Sequence, residues 1–135
     1  MPGDPHLDGH AIERIVLTVA RRSDDGRIDD VVAAFTDDAV LDTGARQVHG
    51  RDGLLEFFGP GRTSDPDRQR SKHVISNVVV DVDGDRATAW SYFQVLRSAG
   101  LVTWGRYVDT LRETDGAWRI AARRVIVDGQ QPKPS

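Results

Sequence analysis

Residues 71–127, SKHVISNVVVDVDGDRATAWSYFQVLRSAGLVTWGRYVDTLRETDGAWRIAARRVIV, decide the fold. Apolar and polar residues alternate through four segments, Ser71 to Val82, Arg86 to Arg97, Leu101 to Glu113 and Ala117 to Val127. That period of two is the signature of half-buried strands. Asp83-Gly84-Asp85, Ala99-Gly100 and Thr114-Asp115-Gly116 separate the segments, and all three are hairpin chemistry. The four strands therefore form an antiparallel meander. Strands this long must twist and curve, so whatever precedes them has to cover a concave face.

What precedes them is written in a helical period. From Ala11 to Asp24, the residues Ile12, Ile15, Val16, Val19, Ala20 and Ser23 fall on one stripe, with Arg14, Arg21 and Arg22 off its centre. Gly26 supplies a C-cap. Residues 1–9 read as a flexible arm that carries two prolines and no periodicity, with Asp8 near its end as an N-cap candidate. Ile28, Val31, Val32 and Phe35 predict a second short helix, with Asp29 and Asp30 in its first turn. Ala39 to Thr43 reads as a short strand, with Gln47 to Gly50 as its partner and a third helix from Gly53 to Phe58. Gly59-Pro60-Gly61 closes that helix, and residues 59–71 form a surface loop. The result is an α+β domain over residues 10–127, followed by a polar tail over 128–135.

At 135 residues the chain has the size of one domain with one core. It has no cysteine, which removes thiol nucleophiles, thiolate metal sites and disulfides, and fits a cytoplasmic location. Eighteen Lys and Arg against 21 Asp and Glu are interspersed without a basic run, so nucleic acid is not an expected partner. No apolar stretch approaches the roughly 20 residues that cross a bilayer, and the opening residues lack the form of a signal peptide. Neither a membrane nor export is expected. Asp81, Asp83 and Asp85 alternate around Gly84 without the rest of a calcium loop, so they read as a hairpin turn. No metal spacing and no phosphate loop is present, and no cofactor is expected.

His73 is the one histidine within a strongly patterned strand, and alternation places it on a face with Ile75, Asn77 and Val79. His6, His10 and His49 lie at the N-terminus or in a turn region. Asp24 continues the helical line of Leu17 and Ala20, whereas Asp25 turns toward solvent. Read alone, Asp24 is a solvated carboxylate near a helix end and His73 a structural side chain.

A wider pattern changes that weighting. It runs through the first helix, Phe35-Thr36-Asp37-Asp38-Ala39-Val40-Leu41-Asp42, Gly50-Arg51-Asp52-Gly53, His73-Val74-Ile75-Ser76-Asn77, Gly105-Arg106-Tyr107-Val108-Asp109 and Asp115-Gly116-Ala117-Trp118-Arg119-Ile120. In this order the chain resembles the SnoaL-like branch of the nuclear transport factor 2-like superfamily over residues 10–127. The resemblance implies a conical barrel, a strongly curved and mainly antiparallel sheet wrapped around N-terminal helices, with a deep cavity. Relatives include polyketide cyclases, scytalone dehydratase, ketosteroid isomerase and a hexachlorocyclohexane dehydrochlorinase, so the fold alone does not choose a reaction.

Carried over residue by residue, the resemblance makes Asp24 and His73 a catalytic pair at the cavity. A carboxylate that accepts the Nδ1 proton fixes the ring's tautomer and leaves Nε2 to take a proton from substrate. Arg123 corresponds to an arginine that holds a departing anion. Strict alternation groups it with Ala117, Arg119 and Ala121, opposite Trp118, Ile120 and Ala122, so an inward Arg123 requires a bulge. Otherwise it is an exposed strand arginine. Tyr92 and Tyr107 could each offer a phenol to a carbonyl, and Asn77, Trp104 and Phe58 complete the expected substrate-binding set.

Departures narrow the chemistry. Val19 stands where the dehydrochlorinase has lysine and the isomerase an oxyanion tyrosine, while Ser23 and Thr43 stand where scytalone dehydratase has tyrosines. What survives is a cofactor-free lyase, isomerase or cyclase acting on a hydrophobic small molecule. The alternative is a binding or assembly module of the same fold without turnover, or a structural subunit of a larger oxygenase. A homodimer formed sheet against sheet is expected.

Overall fold

The computed structural model describes residues 4–59 and 66–132, apart from the Arg68 side chain. Helices α1 (Pro5–Asp24) and α2 (Ile28–Ala33) are followed by strands β1 (Phe35–Asp42) and β2 (Gln47–His49). Then come α3 (Gly50–Phe58), the single turn α4 (Pro66–Gln69) and β3 (Lys72–Asp83), β4 (Arg86–Arg97), β5 (Gly100–Thr114) and β6 (Ala117–Gln130).

The last four strands form the expected meander within one six-stranded sheet of order β2-β1-β6-β5-β4-β3. β1 joins β6 in parallel and every other neighbour is antiparallel. The sheet keeps two edges, β2 and β3, and does not close. Ile12, Val16 and Val19 of α1 enter one core with Val31, Leu41, Leu54, Leu111 and Ile120. The helices thus cover a single face of the sheet. No helix among the described residues is long and apolar enough to cross a membrane.

The first helix starts earlier than its periodicity suggested. Asp4 is the N-cap, its carboxylate accepting from the His6 backbone N–H at 2.8 Å, and Pro5 opens the helix. A proline there loses no hydrogen bond and arrives with helical φ, so the prolines of the expected arm include a start signal. Residues 5–9 are helical, and Asp8 lies inside the helix, where it accepts the Trp118 indole N–H at 3.2 Å. Phe35 leaves the second helix and opens β1 opposite Ile120, whose N–H bonds the Ala34 carbonyl at 2.8 Å. At the other end β6 runs to Gln130, which pairs with Thr103, so the first residues of the expected tail are strand. Within the expected loop over 59–71, residues 60–65, Pro60 and Gly61 among them, lie outside the described residues.

Bulges set which side chains face inward. Asn77 sits at φ 53° where β3 carries one more residue than β4 between Ser76 and Val79. Ala121 has no partner between Ile120 and Ala122, nor Asp128 between Val127 and Gly129. Next to this last bulge, a Cβ on Gly105 would stand 1.9 Å from the Ile126 carbonyl oxygen, a backbone atom that cannot swing aside. Gly105→Ala is therefore expected to cost about 1–3 kcal/mol by overpacking, read as a lower urea midpoint with unchanged slope.

Candidate active site

Asp24 is the last residue of α1, where the helix dipole disfavours a carboxylate. Strand β3 compensates. The His73 backbone N–H donates to Asp24 Oδ2 at 2.9 Å, and His73 Nδ1 lies 2.6 Å from Oδ1. The two side chains are 6% and 19% exposed, Asp24 the more buried. A carboxylate is an acceptor, so Nδ1 carries the proton, and the neutral form of the ring has its lone pair on Nε2. Among the described residues Nε2 has no hydrogen-bond partner.

His73 borders two adjoining hollows, of about 330 and 200 Å³, which share Ser23, Phe58, His73 and Thr103. The outer one is the more polar, with Asp24, Asp25, Gln69, Ser71 and Arg97 around it. Arg97 Nε donates to Ser71 Oγ at 3.1 Å. The inner one is mainly apolar, walled by Val19, Leu41, Phe57, Phe93 and Val125, with Tyr107 and Arg123 among its lining. Together they match the roughly 300–1,000 Å³ of small-molecule sites.

Arg123 faces this interior because the extra residue Ala121 turns the alternation of β6 over, so that Arg123, Val125 and Val127 follow Trp118 and Ile120 inward. Its Nε donates to Asp109 Oδ1 at 2.7 Å and Nη2 to Oδ2 at 2.9 Å. The Tyr107 ring lies 4.1 Å from its Cζ and is stacked on Phe93 at 4.6 Å. Burial alone would push the guanidinium down, yet the Asp109 carboxylate, with Tyr107, holds it above its ordinary value. It stays charged.

Of the substrate-binding set, Arg123, Tyr107 and Phe58 line the cavity. Tyr92, Trp104 and Asn77 do not. Tyr92 and Trp104 are 51% and 40% exposed and border a shallow hollow with Gln94, Arg106 and Asp128, apart from the dyad. Their inward neighbours on β4 and β5 are Ser91, Phe93, Gly105 and Tyr107. Asn77 is exposed because it forms the bulge that moves Val78, Val80 and Val82 inward in place of Val79. Asp109 was missed. Its signal was a charge sharing the period-two face of Gly105, Tyr107 and Leu111, a stripe on which only a paired charge can be buried.

A bent sheet covered by helices, with an apolar hollow and a buried polar pair beside it, places the chain in the cystatin-like α+β class. The chain belongs to the SnoaL-like domain family, whose model matches residues 6–124, within the nuclear transport factor 2-like superfamily. No functionally curated protein matches the sequence. Among solved structures it is similar to a protein of unknown function with a cystatin-like fold from Nostoc punctiforme PCC 73102. They share 23% identity over 93% of this chain and 95% of that one, with a TM-score of 0.83. ActVI-ORFA from Streptomyces coelicolor is 21% identical over 88% and 96%, with a TM-score of 0.73. The hexachlorocyclohexane dehydrochlorinase LinA-type3 from Novosphingobium barchaimii LL02 is 16% identical over 91% and 88%, with a TM-score of 0.75. At these identities the likeness is one of fold.

Proposed function

We propose that this protein is a cofactor-free enzyme that moves a proton on a hydrophobic small molecule, with His73 as general base and acid and Asp24 orienting it. The observation that carries the reading is the 2.6 Å contact between His73 Nδ1 and Asp24 Oδ1 beside an apolar cavity. It fixes the tautomer that leaves Nε2 basic. Abstraction of a proton beside an activating group then leads to elimination, isomerisation or ring closure. Binding without turnover is the competing reading, and a hydrogen-bonded pair at the cavity favours catalysis over it. The test is a metabolite screen by thermal stabilisation, followed by turnover of each hit with wild type and His73→Ala. A hit turned over by wild type and not by the variant is the expected result. Equal turnover by both rejects the pair.

The outer sheet face supports a second proposal, a homodimer. Val79, Tyr92, Trp90 and Trp104 are 57%, 51%, 40% and 40% exposed there, a cluster of large apolar side chains of the kind found at interaction surfaces. Arg106 and Asp128, paired at 2.9 Å, put both signs of charge on the same face, an arrangement that a self-complementary two-fold interface can accommodate. Light scattering is expected to give a dimer mass for wild type and a monomer mass for Trp90→Asp/Tyr92→Asp. A monomeric wild type at micromolar concentration rejects it.

A further inference from the structure

Arg123 lines the inner cavity and belongs to a charge pair that the His73 chemistry leaves unassigned. Asp109 and Arg123 bury their side chains to 0% and 6% exposure and are joined by two parallel hydrogen bonds. Those bonds occupy Arg123 Nε and Nη2. The third nitrogen, Nη1, makes no hydrogen bond among the described residues. Among the described residues the buried side-chain atoms without partners are Thr36 Oγ1 and Ser91 Oγ, and Nη1 is not one of them. Arg123 lines the inner cavity, so the donor that remains accessible opens onto it. The rings of Tyr107 and Phe35 lie 4.1 and 6.0 Å from Cζ, leaving the guanidinium edge as its polar contact.

This edge offers a hydrogen bond without a free charge. Asp109 has already balanced the guanidinium, so an anion entering the inner cavity would meet a net neutral pair and lose part of its own hydration against a mainly apolar lining. An uncharged oxygen acceptor gains the same hydrogen bond at far smaller desolvation cost. We propose that Asp109 and Arg123 are a specificity-determining pair that selects a neutral carbonyl compound over carboxylates of equal size, Arg123 Nη1 donating to the carbonyl oxygen.

The catalytic consequence rests on the function proposed above. His73 Nε2 takes the proton from the carbon beside the carbonyl, and the C–H bonding pair becomes a carbon–carbon double bond. The carbonyl π pair moves onto oxygen, and Nη1 donates to the resulting enolate. Return of the proton to either end of the enolate, or loss of a leaving group, completes the balance with no co-reactant.

The test compares 2-acetylnaphthalene with 2-naphthoate, which match in shape and differ in charge, by calorimetric titration of the full chain. Wild type is expected to bind the ketone at least tenfold more tightly, and Asp109→Asn, which frees the guanidinium charge, to reverse the order. Naphthoate binding as tightly as the ketone, or no binding of the ketone, overturns the proposal. If Asp109→Asn does not fold, Asp109→Leu/Arg123→Met replaces the pair with apolar groups. That variant is expected to lose the ketone's advantage over 2-ethylnaphthalene, and keeping it overturns the proposal. Exchange of the ketone's methyl protons into D₂O, followed by NMR for wild type and His73→Ala, separates the two readings. A ketone preference without His73-dependent exchange rejects the catalytic function and leaves the selectivity standing. His73-dependent exchange with naphthoate preferred does the reverse.

Discussion

Arg123→Ala is expected to destabilise the fold by about 3–5 kcal/mol, a large part of the roughly 5–15 kcal/mol that holds a domain of this kind together. The substitution strands Asp109, which has no exposure to solvent and gives both oxygens to Arg123. Attraction between the partners offsets the cost of taking each from water, and removing one partner leaves that cost uncompensated. Lost contact with Tyr107 adds to it. Asp109→Leu/Arg123→Met removes both charges together and is expected to fall within about 2 kcal/mol of wild type, on either side. Urea unfolding of the two variants at pH 7 reads the difference directly. If the double variant loses as much as the single one, the damage comes from lost packing and not from a stranded charge.

The sheet was legible because its signals are local. Period-two patterning and hairpin turns placed β4 at Arg86 and Arg97 as observed, and β3 and β5 within one residue at each end. Bulges were not legible, since one unpaired residue leaves the composition of a strand unchanged while exchanging its faces. Asn77 moved itself and Val79 outward, and Ala121 brought Arg123 inward. Aromatic content misled in another way. Trp90, Tyr92 and Trp104 alternate with Ala89, Ser91, Phe93 and Gly105, and the smaller side chains mostly occupy the crowded inner face while the large rings stay outside. The Asp24 and His73 contact spans 49 positions, and no local pattern carries it. Resemblance to a family linked those two residues, whereas Asp109 announced itself only as a charge on an apolar stripe.

Asp24→Asn is expected to lower turnover by about 10²–10⁴-fold, as far as His73→Ala does, while leaving ligand binding nearly unchanged. The geometry explains why an isosteric change should matter so much. Asp24 accepts two hydrogen bonds from one residue, through Oδ2 from the backbone and Oδ1 from the ring. Asparagine supplies one acceptor oxygen and one NH₂ donor. If its oxygen stays on the backbone N–H, the NH₂ faces Nδ1, and the ring must offer that nitrogen's lone pair. The proton then moves to Nε2, the nitrogen meant to accept from substrate, and the base is lost through its tautomer with its position kept. If the oxygen stays on the ring, the edge-strand N–H of His73 faces a donor, and the end of β3 should loosen. Amide exchange at His73 distinguishes the two. Protected exchange with lost turnover supports the tautomer argument, and unchanged turnover in Asp24→Asn would remove Asp24 from the mechanism.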